Sequence, residues 1–185
     1  GSTLKACALD GRRGIGIELN PEFVRLTKQR LESEVDGLFS TVSEQTVLEG
    51  DARDLVSTIP DASVDFVVTS PPYWTILKKK DDHKVRQERI ANGLKTDYGC
   101  DERDLGTIED YDSFLVELSA ILQDCGRTLI PGKYMCVIIS DFRQKSRFVM
   151  FHADLAREME SRGLEMRGLK VLYQRHKKVF PYGYP

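Results

Sequence analysis

Apolar positions along the chain switch repeatedly between a helical spacing and short continuous runs. Ser2 to about Leu9 reads as a helix stopped at Gly11, and Arg13 to Glu18 as a short strand. Asn20 and Pro21 supply an N-cap and a first helical position, and Val24, Thr27, Leu31 and Val35 mark one face of the helix that follows. Thr46 to Leu48 is a second strand, closed by Gly50-Asp51. Val64 to Thr69 is a third, continuous enough in apolar residues to be buried on both faces. A helix near Asp112 to Leu129 carries Phe114, Leu118, Ile121 and Leu122. Pro131-Gly132 then turns the chain into a strand from Tyr134 to Ser140. A last helix, with Phe151, Leu155 and Met159 on one stripe, stops at Gly163 and leads to a strand around Leu164 to Tyr173.

Strands separated by helices predict an α/β fold with a mostly parallel sheet and helices on both faces. One stretch breaks the rhythm: Ile76 to Gly106 is charged, poor in large apolar residues and longer than an ordinary connection. We read residues 1–185 as one domain with this charged insertion at about 76–106, since 185 residues are too few for two comfortable domains. Ligands in such sheets bind at the carboxyl ends of the strands, and every motif described below falls at such an end.

Composition narrows the class. Charged residues make up 30% and hydrophobic residues 41%, as in ordinary globular proteins, and a net charge of −2 means that any basic surface must be local. No apolar run approaches the roughly 18 residues of a membrane span, so no membrane partner is expected. Cys7, Cys100, Cys125 and Cys136 form no C-x-x-C pair, and His83, His152 and His176 are equally dispersed. This predicts no metal site and reduced thiols in a cytoplasmic protein.

The sharpest chemical signal is Ser70-Pro71-Pro72-Tyr73-Trp74, directly after the third strand. Two prolines cannot continue a ladder, so the chain must leave the sheet abruptly. That stiff exit fixes the carbonyls of Ser70 and Pro71 and holds Tyr73 out as a flat platform. An exocyclic base amine is a poor nucleophile because its lone pair is delocalised into the ring. Acceptors on its two hydrogens favour the tetrahedral geometry and receive the proton as a methyl group is transferred. An aromatic wall suits a base rotated out of its duplex. The structural alternative is a Pro-Pro turn packed under an aromatic pair. Glu18, ending a strand, sits where a carboxylate can take both hydroxyls of a ribose. The glycines before it, Gly11, Gly14 and Gly16, precede or lie within the strand; they are expected to serve a turn and close helix packing, not a phosphate cradle. After the next strand, Asp51 is the candidate acceptor for a cofactor's adenine amine, with Ala52 beside it, and Asp54 the candidate helix cap. Ser2 and Thr3, opening the first helix, can offer backbone N–H groups to an anionic ligand.

Together these residues resemble the amino-methylating DNA methyltransferases. S-P-P-Y is similar to their catalytic motif, G-I-G-I-E-L-N-P-E-F to their second cofactor motif and G-D-A-R-D-L to their third, while G-S-T-L looks like the tail of their glycine-rich first motif. L-G-T-I-E-D-Y-D-S-F-L and L-I-P-G-K-Y also look like these enzymes, so the resemblance spans nearly the whole chain. It implies S-adenosylmethionine as cofactor, a Rossmann-like sheet, base flipping and DNA as partner. Ser70, Pro71, Pro72 and Tyr73 would be catalytic. Glu18, Asp51, Ala52, Ser2, Thr3 and Ser70 would hold the cofactor. Serine before Pro-Pro favours cytosine N4 as the methylated atom. A cognate restriction endonuclease is a further implied partner.

Measured against the resemblance, this sequence lacks the family's first strand and final strand. The first would lie centrally, between the strands ending at Glu18 and Ser70. An upstream segment, or a strand from another molecule, is expected to fill that slot. Trp74, Lys78, Lys79, Lys80, Lys84, Arg86 and Arg89, with Lys177 and Lys178 near the end, are the expected DNA contacts, supplying salt-sensitive affinity without sequence choice. Three other readings share many of these residues: an adenine-N6 DNA methyltransferase, an RNA or free-nucleobase methyltransferase, and a truncated, non-catalytic module that binds DNA or cofactor without turnover.

Overall fold

The computed structural model describes residues 1–34, 44–75, 103–144 and 146–172. In chain order the elements are α1 (Ser2–Leu9), β1 (Gly14–Glu18), α2 (Pro21–Glu34), β2 (Gln45–Glu49), α3 (Ala52–Leu55), β3 (Val64–Thr69), α4 (Tyr111–Thr128), β4 (Leu129–Val137), β5 (Phe142–Gln144), β6 (Arg147–Val149) and α5 (Phe151–Ser161). Short 3-10 turns occur at Val56–Thr58 and Leu105–Thr107.

The strands form three pairs. β1 lies parallel to β2 and β3 parallel to β4, each pair joined through a helix-containing crossover, and β5 and β6 make an antiparallel hairpin. Among the described residues β1 and β3 belong to separate pairs and share no ladder. Arg12, entering β1, lies within electrostatic reach of Asp65 on β3.

Local chemistry accounts for the boundaries. Asn20 Oδ1 accepts from the Glu22 N–H at 2.9 Å, capping α2 before Pro21 sets its first φ. Gly14 and Gly16 let α1 lie directly on β1. A Cβ on Gly16 would stand 2.9 Å from Leu4 Cδ1, and one on Gly14 would stand 2.7 Å from Leu4 Cδ2. The packing role expected of these glycines is what they perform. Asp110 Oδ2 accepts from the Ser113 N–H at 2.8 Å to start α4.

Four expectations need correction. Val64 to Thr69 is not buried on both faces: Phe66 and its cross-strand partner Tyr134 are 54% and 59% exposed. Among the described residues, helices therefore cover only one face of this pair, the one where Met135, Val137 and Ile139 meet the core. β4 begins at Leu129, not Tyr134, because the ladder tolerates Pro131 and Gly132 as a bulge between the pairs Val64/Leu129 and Phe66/Tyr134, with Gly132 at φ 82°. Residues 164–172 form no ladder, and Val171 is 84% exposed; apolar sequence makes a strand only where a partner edge is available. Asp54 is not the cap of α3; Asp51 is.

The core lies between β3–β4, α4 and α5. Phe114 and Phe151 are fully buried there, with Leu118, Leu122, Leu155 and Phe142 around them. Among the described residues no helix is long and apolar enough to cross a membrane, and no cluster of His, Cys, Asp and Glu could hold a metal ion. Cys7, Cys125 and Cys136 are free thiols.

Candidate functional site

The chain leaves β3 at Thr69, whose carbonyl accepts from the Ile138 N–H at 2.8 Å in the last rung shared with β4. Ser70 then stands exposed, while Pro71 is buried and Pro72 and Tyr73 are half-buried. Tyr73 packs against the core cluster and is half-buried. The sequence thus places a hydroxyl, two proline-flanked carbonyls and an aromatic ring at the carboxyl end of a parallel strand.

Trp74 turns inward. It is 8% exposed, its indole N–H donates to the Ile108 carbonyl at 2.9 Å, and its ring meets Tyr111 edge-on at 5.2 Å and Phe142 at 6.1 Å. A DNA-contacting Trp74 is therefore corrected to a core residue, because both its polar atom and its faces are committed inside. Its φ of 49° is uncommon for a bulky side chain. The basic residues Lys78, Lys79, Lys80, Lys84, Arg86, Arg89, Lys177 and Lys178 lie outside the described residues.

The cofactor candidates gather on the β1–β2 half. Glu18 is half-buried at the end of β1, and its Oε1 accepts from the Asn20 N–H at 2.9 Å, which fixes the orientation of the carboxylate. The Glu18 carbonyl accepts from the Gly50 N–H at 3.0 Å, bringing the exit of β2 alongside. Ser2 and Thr3 are exposed in the first turn of α1, which has no side-chain cap, and Gly1 abuts Thr27 of α2. Ala52 is half-buried.

Asp51 is the site residue with the most to hold. Its Oδ1 accepts from the Arg53 N–H at 2.9 Å, and the Arg53 guanidinium reaches Oδ2 through Nη2 at 2.7 Å and through Nε at 3.0 Å. Burial pushes this carboxyl up, but the hydrogen bonds and charge of Arg53 outweigh it and hold the pKa below the ordinary value. Both oxygens are thus in use within the protein. Glu18 fits a ribose diol; Asp51 fits an added adenine amine only through lone pairs left over from Arg53.

No described hydrogen bond joins Ser70 to Glu18 or Asp51. The two halves are linked instead through Arg53, which also donates to the Arg103 carbonyl at 2.5 Å and approaches Glu117 of α4 at 3.8 Å. The turn after Arg103 runs behind Trp74, where a Cβ on Gly106 would meet the Trp74 carbonyl at 3.5 Å.

Sequence reasoning missed two features beside the S-P-P-Y exit. Asp141, past the end of β4, accepts from the His152 backbone N–H at 3.2 Å and lies 2.7 Å and 2.9 Å from His152 Nδ1 through its two oxygens. The pair pins the start of α5 to the β4 exit. The β5–β6 hairpin was also missed, since Gln144 to Arg147 contains none of the Gly, Asn or Pro signals that mark a tight turn.

A Type II methyltransferase of Citrobacter freundii, M.Cfr9I, is 33% identical over 96 residues, 52% of this chain and 25% of its own length. The chain therefore spans about a quarter of that relative. TTHA0409 of Thermus thermophilus, assigned as a DNA modification methylase, has a solved structure 32% identical to this chain. That match covers 62% of this chain and 38% of TTHA0409, at a TM-score of 0.41. Its selenomethionine derivative matches at 28% identity, over 62% and 36% of the two chains, with the same TM-score. The model of the N6/N4 DNA methylase family matches residues 64–178, from the first residue of β3 through the S-P-P-Y exit, α4, β4 and α5, and the chain belongs to that family.

Proposed function

We propose that this chain carries the catalytic centre of a site-specific DNA methyltransferase that methylates the exocyclic amine of a flipped base, with cytosine N4 as the target. The observation that carries the reading is the exit of β3, where Ser70 is exposed beside a buried Pro71 and Tyr73 is half-buried. In this reading the Ser70 side chain and the carbonyls of Ser70 and Pro71 accept the two amine hydrogens, drawing the nitrogen lone pair out of conjugation. Tyr73 stacks on the extruded base. S-adenosylmethionine, when bound, supplies the methyl group. Glu18 would hold its ribose, with Ser2 and Thr3 at the methionine end and Asp51-Ala52 at the adenine.

The sheet is proposed to be Rossmann-like, residues 1–185 forming one domain of it. β1 and β3 each have one bonded edge, and their other edges belong to a common slot that a further parallel strand fills, from this polypeptide or another molecule. An edge backbone group that neither a strand nor water pairs costs about 1–3 kcal/mol. The name of the C. freundii relative motivates a restriction endonuclease as partner in the wider system.

The test is transfer of labelled methyl from S-adenosylmethionine to duplex DNA, followed by nucleoside analysis. N4-methylcytosine is expected. N6-methyladenine would overturn the target atom, label on RNA alone would overturn the substrate, and cofactor binding without any transfer would support the non-catalytic reading.

A further inference from the structure

One nitrogen of Arg53 is bonded on two sides. Nη2 donates to Asp51 Oδ2 at 2.7 Å and to the Arg103 carbonyl at 2.5 Å. A guanidinium Nη carries two hydrogens in a fixed plane, so each bond uses one and neither can shift alone. Nε is shared differently, lying 3.1 Å from Asp51 Oδ1 and 3.0 Å from Oδ2. One hydrogen divided between two oxygens makes its Oδ1 leg the longest bond of the clasp. Nη1 faces Glu117 of α4 at 3.8 Å.

The Arg103 carbonyl opens a segment fastened to Trp74. Asp104 Oδ1 accepts from the Gly106 N–H at 2.8 Å, and the Asp104 carbonyl from the Thr107 N–H at 2.8 Å, closing the 3-10 turn Leu105–Thr107. Gly106 lies beside the Trp74 carbonyl, and the Ile108 carbonyl accepts from the Trp74 indole at 2.9 Å. Leu105 and Ile108 pack on the same core cluster as Trp74. Trp74, directly after Tyr73, is thus touched at its backbone and bonded at its ring by the segment that Arg53 holds.

We propose that Arg53 is a positioning residue that relays occupancy of Asp51 by the cofactor's adenine to the S-P-P-Y exit. An adenine amine meeting Asp51 draws on the clasp, because both carboxylate oxygens are in use. The long Nε–Oδ1 leg yields first, and the rigid fork re-seats on Oδ2, carrying Nη2 and the Arg103 carbonyl with it. The inference rests on the cofactor reading proposed above and adds to it a physical connection to the base-handling residues.

Trp74 is the chain's one tryptophan, so its fluorescence reads the exit directly. The test follows that emission during titration with S-adenosylmethionine, with binding measured in parallel by calorimetry, in wild type, Arg53→Lys, Arg53→Gln and Arg162→Gln. Lysine keeps a charge for Asp51 but lacks the fork that spans two acceptors. Arg162, at the end of α5, is bonded to Glu158, Gln123 and the Val116 carbonyl, none of them in the Arg53 chain of contacts. Wild type and Arg162→Gln are expected to shift Trp74 emission as the cofactor saturates. Both Arg53 variants are expected to lose the shift while circular dichroism shows them folded. Without cofactor, acrylamide quenching of Trp74 is expected to rise in the two Arg53 variants alone, and a variant too weak to titrate is judged on that measurement. A full shift in an Arg53 variant that binds the cofactor overturns the relay, as does unchanged quenching in both. A loss shared by Arg162→Gln shows general loosening and overturns it too. Wild type that binds without a shift overturns the relay and leaves the functional reading standing. Wild type that binds no cofactor overturns both.

Discussion

Asp51 and Arg53 form a closed clasp at the exit of β2, in which one carboxylate caps α3 through the Arg53 N–H and neutralises the same residue's guanidinium at 2.7 Å. Arg53 then reaches on to the Arg103 carbonyl, so the clasp joins the β1–β2 half to the segment behind the S-P-P-Y exit. Because Asp51 is only 9% exposed, its charge is stable there chiefly because Arg53 is present.

A pH dependence follows. The folded state holds the Asp51 carboxyl below its ordinary value, whereas the unfolded chain titrates near that value. The stabilisation is therefore fully present above the unfolded pKa and is lost as pH falls through the lower folded pKa. Urea unfolding of wild type and Asp51→Asn should differ at neutral pH, and the gap should begin to close only below about pH 4, vanishing once pH is below the lowered folded pKa. Asparagine keeps the cap, so Asp51→Ala should cost about 1 kcal/mol more than Asp51→Asn. A gap between wild type and Asp51→Asn that stays constant down to low pH would mean that the charge contributes nothing.

Trp74 tests whether the S-P-P-Y exit is held from inside. Trp74→Ala removes a ring packed against Tyr111 and Phe142, a change that costs about 3–5 kcal/mol in buried sites. Trp74→Phe keeps an aromatic ring but leaves the Ile108 carbonyl without its indole donor, at about 1–3 kcal/mol. Denaturant midpoints should rank wild type above Phe above Ala. Stability unaffected by either change, with DNA binding lost, would restore Trp74 to the DNA surface.

Trp74 also marks how far sequence reasoning reaches. Helix and strand positions were legible because they depend on local signals: Asn20-Pro21, the glycines of β1, the stripe of α5. The S-P-P-Y exit was legible because proline chemistry ends a strand wherever it occurs. Long-range commitments were not legible. Nothing local tells that the Trp74 indole will find Ile108, that Arg53 will occupy Asp51, or that Asp141 will hold His152. The bulge at Pro131-Gly132 is the same lesson in the backbone, since a proline and a glycine read as a turn until the partner strand shows that they interrupt a ladder without ending it.

Ser70 and Tyr73 should separate chemistry from capture. Ser70→Ala is expected to lower kcat more than it lowers cofactor affinity, because in the proposed site the side chain acts chiefly on the reacting base and the backbone that could meet the cofactor is kept. Tyr73→Ala should weaken capture of the flipped base by about 1–3 kcal/mol, and Tyr73→Phe should be mild because the ring face is used. Single-turnover rates and fluorescence of a base analogue at the target position read the two effects apart. Phenylalanine as damaging as alanine would assign the role to the hydroxyl.

Glu18 carries two duties that one pair of variants can divide. Its Oε1 fixes the turn into α2 by accepting from the Asn20 N–H, and its charge is the candidate partner of the cofactor ribose. Glu18→Gln keeps an oxygen for Asn20 and removes the charge, whereas Glu18→Ala removes both. Loss of a charged acceptor on two hydroxyls is worth about 1.5–3 kcal/mol, or roughly 10- to 150-fold in dissociation constant. Calorimetric titration with S-adenosylmethionine should therefore show glutamine well weakened and alanine weaker still, while thermal midpoints fall appreciably only for alanine. If glutamine binds the cofactor as wild type does and alanine loses stability alone, Glu18 is a turn residue and the ribose must be held elsewhere.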